Sequence, residues 1–158
     1  MTGSPETLDV RPRKVRRVAY VSAAVILVVF VLIATALTGS TGEGTAVFQP
    51  GDQLAMIGLG VCAALGALAF ARPRVKATAD GVWVRNVIGS YDLPWSAVRS
   101  VRFDKGHPWV TLEMMDDDTV AVLAVQATDK EYALAAVRGL RKLHGAAHGA
   151  EILSDSHS

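Results

Sequence analysis

Hydrophobic positions are arranged along this chain in two different ways. The first third is dominated by runs without polar interruption. Val18 to Thr38 reads VAYVSAAVILVVFVLIATALT and carries no charged residue. At a rise of about 1.5 Å per residue it reaches about 31 Å, the thickness of a bilayer hydrocarbon core. A second uncharged run, Leu54 to Ala71, reads LAMIGLGVCAALGALAFA. It reaches about 27 Å, enough to cross with little tilt. The β-branched residues of the first run do not argue for a strand, because backbone in lipid must close its own hydrogen bonds. The first run is too long for the apolar core of a signal peptide, and a second run follows it, so the pattern predicts a two-helix transmembrane hairpin. Gly58, Cys62 and Gly66 on one helix, with Ala19 and Ala23 on the other, have the spacing that lets helices approach closely. The same spacing offers a route to a homo-oligomer.

From Arg72 onward the pattern alternates. Val75–Ala79 and Val82–Asn86 flank Asp80-Gly81, a two-residue hairpin signal. Val82, Trp83 and Val84 run together, so one apolar side chain must face away from the core. Ile88-Gly89-Ser90 reads as a second turn, and Tyr91–Leu93 as a short strand broken by Pro94. Val98–Phe103 and Trp109–Met115 follow as strands, then an acidic turn at Asp116–Asp118, then Thr119–Val125. By strict parity Arg99 and Arg102 fall on opposite faces of their strand. Thr128 and Glu131 form a capping box for a helix reaching about His144. Tyr132, Ala133, Ala136, Val137, Leu140 and Leu143 share its apolar face, and Gly145 ends it. The expected fold class is therefore α+β: a transmembrane hairpin, then a small bent antiparallel sheet or barrel of about six strands closed by a C-terminal helix.

Charge orients this arrangement. Arg11, Arg13, Lys14, Arg16 and Arg17 precede the first run, and Arg72, Arg74 and Lys76 follow the second. The connection between them, Gly39 to Gln53, holds Glu43 and Asp52 but no lysine or arginine. The positive-inside rule puts both termini in the cytoplasm and makes the protein a multi-pass protein of the cell membrane. The organisation is then a basic leader (1–17), a two-span hairpin (18–71, with spans 18–38 and 54–71), a soluble domain (72–145) and a disordered tail (146–158).

Candidate chemistry narrows rather than widens this picture. The net charge is +1, and the balanced soluble part gives no electrostatic case for nucleic acid. The single cysteine, Cys62, forms no disulfide framework and no CxxC site, and reads as a small buried hydrophobe. His107, His144, His148 and His157 lack zinc-ligand spacing, and Asp116–Asp118 lacks the glycine and distal glutamate of a calcium loop. There is no GxSxG, no phosphate-binding glycine loop and no Cys/His pair. We expect no catalytic, cofactor or metal residues and no enzyme activity.

Taken in order, Asp80-Gly81-Val82, Pro94-Trp95-Ser96-Ala97-Val98 and the helix from Asp129 to Leu143 resemble the bacterial pleckstrin-homology (PH)-like domains, in particular a small actinobacterial group of membrane-linked proteins. The resemblance covers about residues 72 to 145. It implies that Pro94 ends a strand, Trp95 enters the core and Ser96 caps a short turn. Eukaryotic PH domains that bind phosphoinositides carry basic residues between their first two strands. If the visible hairpin is that pair, its loop is only Asp80-Gly81, flanked by Lys76 and Arg85, which turns the expectation toward protein docking. The expected partner surface is Trp83 and Arg85 with Arg99, Arg102 and Lys105. Membrane lipid is the alternative partner, through Arg13, Lys14, Arg16, Arg17, Arg72, Arg74 and Lys76. An accessory subunit of a membrane complex, held through the helices, is a further possibility.

Overall fold

The computed structural model describes residues 7–36 and 50–155. It divides into two compact units, a helical one (Val15–Ala71) and a mixed one formed by the residues before Val15 together with those from Arg72 on.

The helical unit contains α1 (Arg13–Ala36) and α2 (Pro50–Ala69). Both are long and apolar enough to cross a membrane. Their bounds differ from the runs read in the sequence, and residues 37–49, with Glu43, lie outside the described residues. The close approach uses a different stripe from the one expected. A Cβ on Gly58 or Gly66 would meet nothing, whereas one on Gly60 would come within 2.6 Å of Phe30 Cβ. Ala64, one turn on, is buried, as are Ala19 and Ala23. Cys62 is exposed on α2 rather than buried.

The mixed unit holds the largest departure from the sequence reading. The leader is not a separate segment. Leu8–Val10 forms a strand, β1, and pairs antiparallel with β2 (Arg74–Ala77). The first sheet has the order β1-β2-β3-β4, with β3 at Gly81–Arg85 and β4 at Ser90–Pro94. The second contains β5 (Val98–Arg102), β6 (Trp109–Met114) and β7 (Thr119–Gln126). Three residues of Leu-Asp-Val are too short to announce a strand by periodicity, and only the partner strand some sixty-five residues away supplies their ladder.

The strands of both sheets turn alternate side chains into the core, except β4, whose residues are exposed apart from a half-buried Leu93. Val10, Val75, Val82, Val84, Val98, Val110, Leu112 and Val122 form one core with Trp95. Trp95 is buried as expected, and its indole N–H donates to the Thr78 carbonyl at 2.8 Å. It lies in a short 3-10 turn, Trp95–Ala97, with Pro94 at the N-cap and no side-chain cap, so Ser96 does not play the capping part expected of it.

The C-terminal helix, α3, runs from Glu131 to Asp155. Ala133, Ala136, Val137, Leu140 and Leu143 bury the predicted face, and the helix packs on β1, β5 and β7. Two details differ. Thr128 belongs to a separate 3-10 turn, Ala127–Asp129, ended by Lys130 at φ 46, so the capping box does not form. Gly145 does not end the helix. Single glycines weaken a helix by only about 1 kcal/mol, and on either side of it His144 and His148 approach with ring centroids 4.3 Å apart. The expected disordered tail is therefore helical to Asp155, and residues 156–158 lie outside the described residues.

Asp129 has another task. The backbone N–H groups of Arg13 and Lys14 donate to its carboxylate at 3.0 and 3.2 Å. The first turn of α1 carries no acidic residue of its own, and a carboxylate there satisfies two orphan donors and offsets the basic start of the helix.

Candidate interaction site on the first sheet

With Val75, Ala77, Val82 and Val84 turned inward, Arg74, Lys76, Trp83 and Arg85 face outward. Register sets Arg74 opposite Arg85 and Lys76 opposite Trp83. The Lys76 ammonium lies 5.9 Å from the centre of the half-buried Trp83 ring, within cation–π reach. Asp9 of β1 stands opposite Lys76, but its carboxylate accepts hydrogen bonds from Arg74 instead, one of them from Nε at 2.8 Å. That bond holds the Asp9 carboxyl below the usual aspartate range against the opposing effect of burial, with smaller help from the charges of Arg74, Arg11 and Lys76.

Trp83 separates two depressions. One, of about 480 Å³, is lined by Lys76, Asp80, Trp83, Asp92, Leu93 and Pro94. The other, of about 270 Å³, lies between Arg72, Arg85 and the β3–β4 turn. Among the described residues neither Arg72 nor Arg85 forms an ion pair.

The second sheet is different. Arg99 pairs with Asp117 at 2.5 Å and also donates to the Met115 carbonyl. Arg102 donates to Glu113 at 2.6 Å and to Asp104 at 2.7 Å. Ser100 donates to Glu113 as well. These two bonds, Arg102's first, hold the Glu113 carboxyl below its ordinary range. Strict parity also fails here: a register shift between Val98 and Ser100 leaves both Arg99 and Arg102 exposed. Lys105 lies in the loop after β5.

The structure thus gathers Arg72, Arg74, Lys76, Trp83 and Arg85 in and beside the first sheet, and leaves Arg99, Arg102 and Lys105 with the second. Arg13, Lys14, Arg16 and Arg17 open α1, where the Arg13 guanidinium sits 4.0 Å from the centre of the Tyr132 ring and Arg16 lies 5.6 Å from that of Tyr20.

The model of the bacterial PH domain family matches residues 72–143. Two uncharacterised proteins, from Mycobacterium tuberculosis and Mycobacterium bovis, are each 39% identical over 145 residues, covering 90% of this chain and 93% of the relative. The chain belongs to the bacterial PH-domain family. No solved structure matches it significantly.

The family match begins at Arg72, after β1, yet the PH domain is completed by a strand that precedes both apolar helices. This corrects the identification of the first strand pair. The Asp80-Gly81 hairpin joins the second and third strands, whereas the first and second are joined through α1 and α2. The short acidic loop therefore says nothing about the end of the PH domain from which those helices leave. Sequence reasoning also missed Asn86, whose side-chain amide donates to the Ala121 carbonyl at 2.8 Å and accepts from the Leu123 N–H at 3.2 Å. It acts on the free edge of β7 as a neighbouring strand would. No local signal marks an asparagine for that task.

Proposed function

We propose that this protein is a membrane-anchored docking module, in which two transmembrane helices hold the PH domain at the cytoplasmic face and the outer face of the first sheet takes a partner protein. The carrying observation is Trp83, half-buried between two depressions and bordered by Lys76, Arg85 and Arg72. An aromatic anchor with a cationic rim is the composition of an interaction hot spot, and it suits an acidic partner surface. The topology rests on the basic residues at both cytoplasmic ends of the hairpin and their absence from the short connection. We read the module as binding rather than catalytic. Anionic lipid is the alternative partner, favoured by the open Arg72–Arg85 cleft. The Gly58, Cys62 and Gly66 stripe, left open by α1, is where a second copy or a membrane subunit would pack.

The test is crosslinking and affinity capture of the full-length protein from native membranes, comparing wild type with Trp83→Ala and with Gly58→Leu/Gly66→Leu. Truncating a hot-spot tryptophan costs about 2 kcal/mol, roughly thirtyfold in affinity, so Trp83→Ala should lose the partner that wild type captures. A partner kept by Trp83→Ala and lost by the glycine variant would move recognition into the helices.

A further inference from the structure

Had α3 ended at Gly145, His144 and His148 would have no fixed relation. The helix instead runs on to Asp155, so the two histidines stand four residues apart on one helical face, where side chains are neighbours. Their ring centres are 4.3 Å apart, and both residues are half-buried. This stretch lies just past residue 143, where the family match stops. It is still seated on the domain, since Leu143 is buried and Ala147 packs against the core.

Each ring is also oriented. The His144 Nε2–H donates to the Val98 carbonyl of β5 at 2.8 Å, and the His148 Nδ1–H donates to the His144 carbonyl at 3.1 Å. A carbonyl oxygen only accepts, so those two nitrogens carry the protons. In the neutral imidazoles the lone pairs are then left on His144 Nδ1 and His148 Nε2. Trp95 meets His144 edge-on, with ring centres 5.5 Å apart. Metal-binding histidines are prepared in this way. One ring nitrogen is committed to a backbone carbonyl or a carboxylate, which fixes the tautomer and makes the other nitrogen a better ligand.

From this arrangement we infer that His144 and His148 form a two-histidine site for a divalent transition-metal ion that favours imidazole, such as Zn²⁺, Ni²⁺ or Cu²⁺. The ligands are His144 Nδ1 and His148 Nε2. Among the described residues no group of three or more His, Cys, Asp or Glu side chains could hold a metal, so water fills the remaining positions and the site stays open. The ion bridges two consecutive turns across Gly145, with Gly149 directly after His148. Glycine weakens a helix, and the bound metal would staple a stretch of α3 whose own propensity is low. All of these groups belong to the mixed unit, so the inference does not depend on the membrane-anchored reading.

The full-length protein in detergent, freed of metal by chelator, is titrated with Zn²⁺ by calorimetry and with Cu²⁺ by electron paramagnetic resonance. Wild type should bind one equivalent, and the Cu²⁺ spectrum should show coupling to imidazole nitrogen. His148→Gln, which keeps an N–H donor, should weaken binding by about tenfold or more, and His144→Gln should do the same. His107→Gln, His157→Gln and Cys62→Ser should bind as wild type does. Zn²⁺ should raise the unfolding midpoint of wild type and leave that of His148→Gln unchanged. If His144→Gln fails to fold because it loses the Val98 bond, His148→Gln alone decides. Wild-type affinity in His148→Gln overturns the inference. So does loss of binding through His107, His157 or Cys62 instead, or a wild type that binds neither ion at millimolar concentration.

Discussion

The two sheets of this PH domain are alike inside and unlike outside. Each turns valines into the common core. On the outer face of the second sheet, the guanidinium groups of Arg99 and Arg102 are closed by Asp117, Glu113 and Asp104. Of the cations on the first, Arg74 alone has a carboxylate partner, Asp9, among the described residues; Lys76 lies beside Trp83, and Arg72 and Arg85 line the cleft beside the turn. Exposed ion pairs add little stability individually. What they do is neutralise a surface. A face whose cations are already satisfied has little to offer a partner, and one whose cations are open must find anions elsewhere. The contrast therefore assigns different tasks to surfaces that composition alone cannot separate, since both carry arginines.

That contrast needs the two sheets to be held together, and the largest effect should come from loosening them. Asn86 joins the end of β3 to the free edge of β7 through both its donor and its acceptor. Replacing it with alanine strands a carbonyl and an N–H in a half-buried place, at a cost of about 2 kcal/mol. Thermal unfolding of the full-length Asn86→Ala protein in detergent should show a midpoint lowered by several degrees, with the β3–β4 turn more readily cut by protease. An unchanged midpoint would mean that the β7 edge has another partner and that the sheets are held by the apolar core alone.

Next in size is a matched pair of substitutions, one per sheet. Arg102→Gln removes the partner of both Glu113 and Asp104. It should lower stability slightly, less so at high salt, and return the Glu113 carboxyl toward its ordinary range. Arg85→Gln should cost no stability, or add a little, because it relieves a like-charge pairing with Arg74 directly across the ladder. Binding should respond in the opposite sense, falling for Arg85→Gln and holding for Arg102→Gln. Unfolding midpoints read beside partner or vesicle binding check both halves. Equal behaviour of the two variants would erase the distinction between the faces.

Much of this architecture was legible in the sequence, and the reasons are local. The uncharged runs, the Asp80-Gly81 hairpin, the acidic turn and the apolar stripe of α3 each declare themselves within a few residues. Trp95 was legible because Pro94 fixes the chain just before it. Misreadings occurred where a distant segment decides. Leu8–Val10 becomes a strand only because β2 lies beside it. Asp129 looks like part of a capping box for its own helix and instead caps α1. The Val98–Ser100 irregularity cancels strict parity for Arg102, and no residue in the strand announces it. In the candidate site, Trp83 and Arg85 were read together in the sequence, while Lys76 was assigned to the lipid set; its place opposite Trp83, like the ion pairs that set Arg99 and Arg102 apart, required the register between strands.

The smallest effect should come from the one closed pair on the first sheet. Asp9 precedes both apolar helices and Arg74 follows them, so their ion pair links the two ends of the inserted segment. Arg74 holds the Asp9 carboxyl below its ordinary range. A carboxyl that is more acidic folded than unfolded binds fewer protons in the folded state, so stability rises with pH across the interval between the two values. The contribution is complete above the unfolded-state value of about 4 and is lost as the pH falls through the lower folded value. Because the Asp9 and Arg74 side chains retain 47% and 26% of their exposure, solvent screening keeps the contribution small. Unfolding midpoints of wild type and Asp9→Asn, followed from neutral to acid pH, should differ slightly at neutral pH and converge in acid. A constant gap would assign the benefit to hydrogen bonding by the side chain whatever its charge. No gap at any pH would mean that β1 is held by its ladder and by α3, and that Arg74 belongs with Arg72 and Arg85 among the open cations of this face.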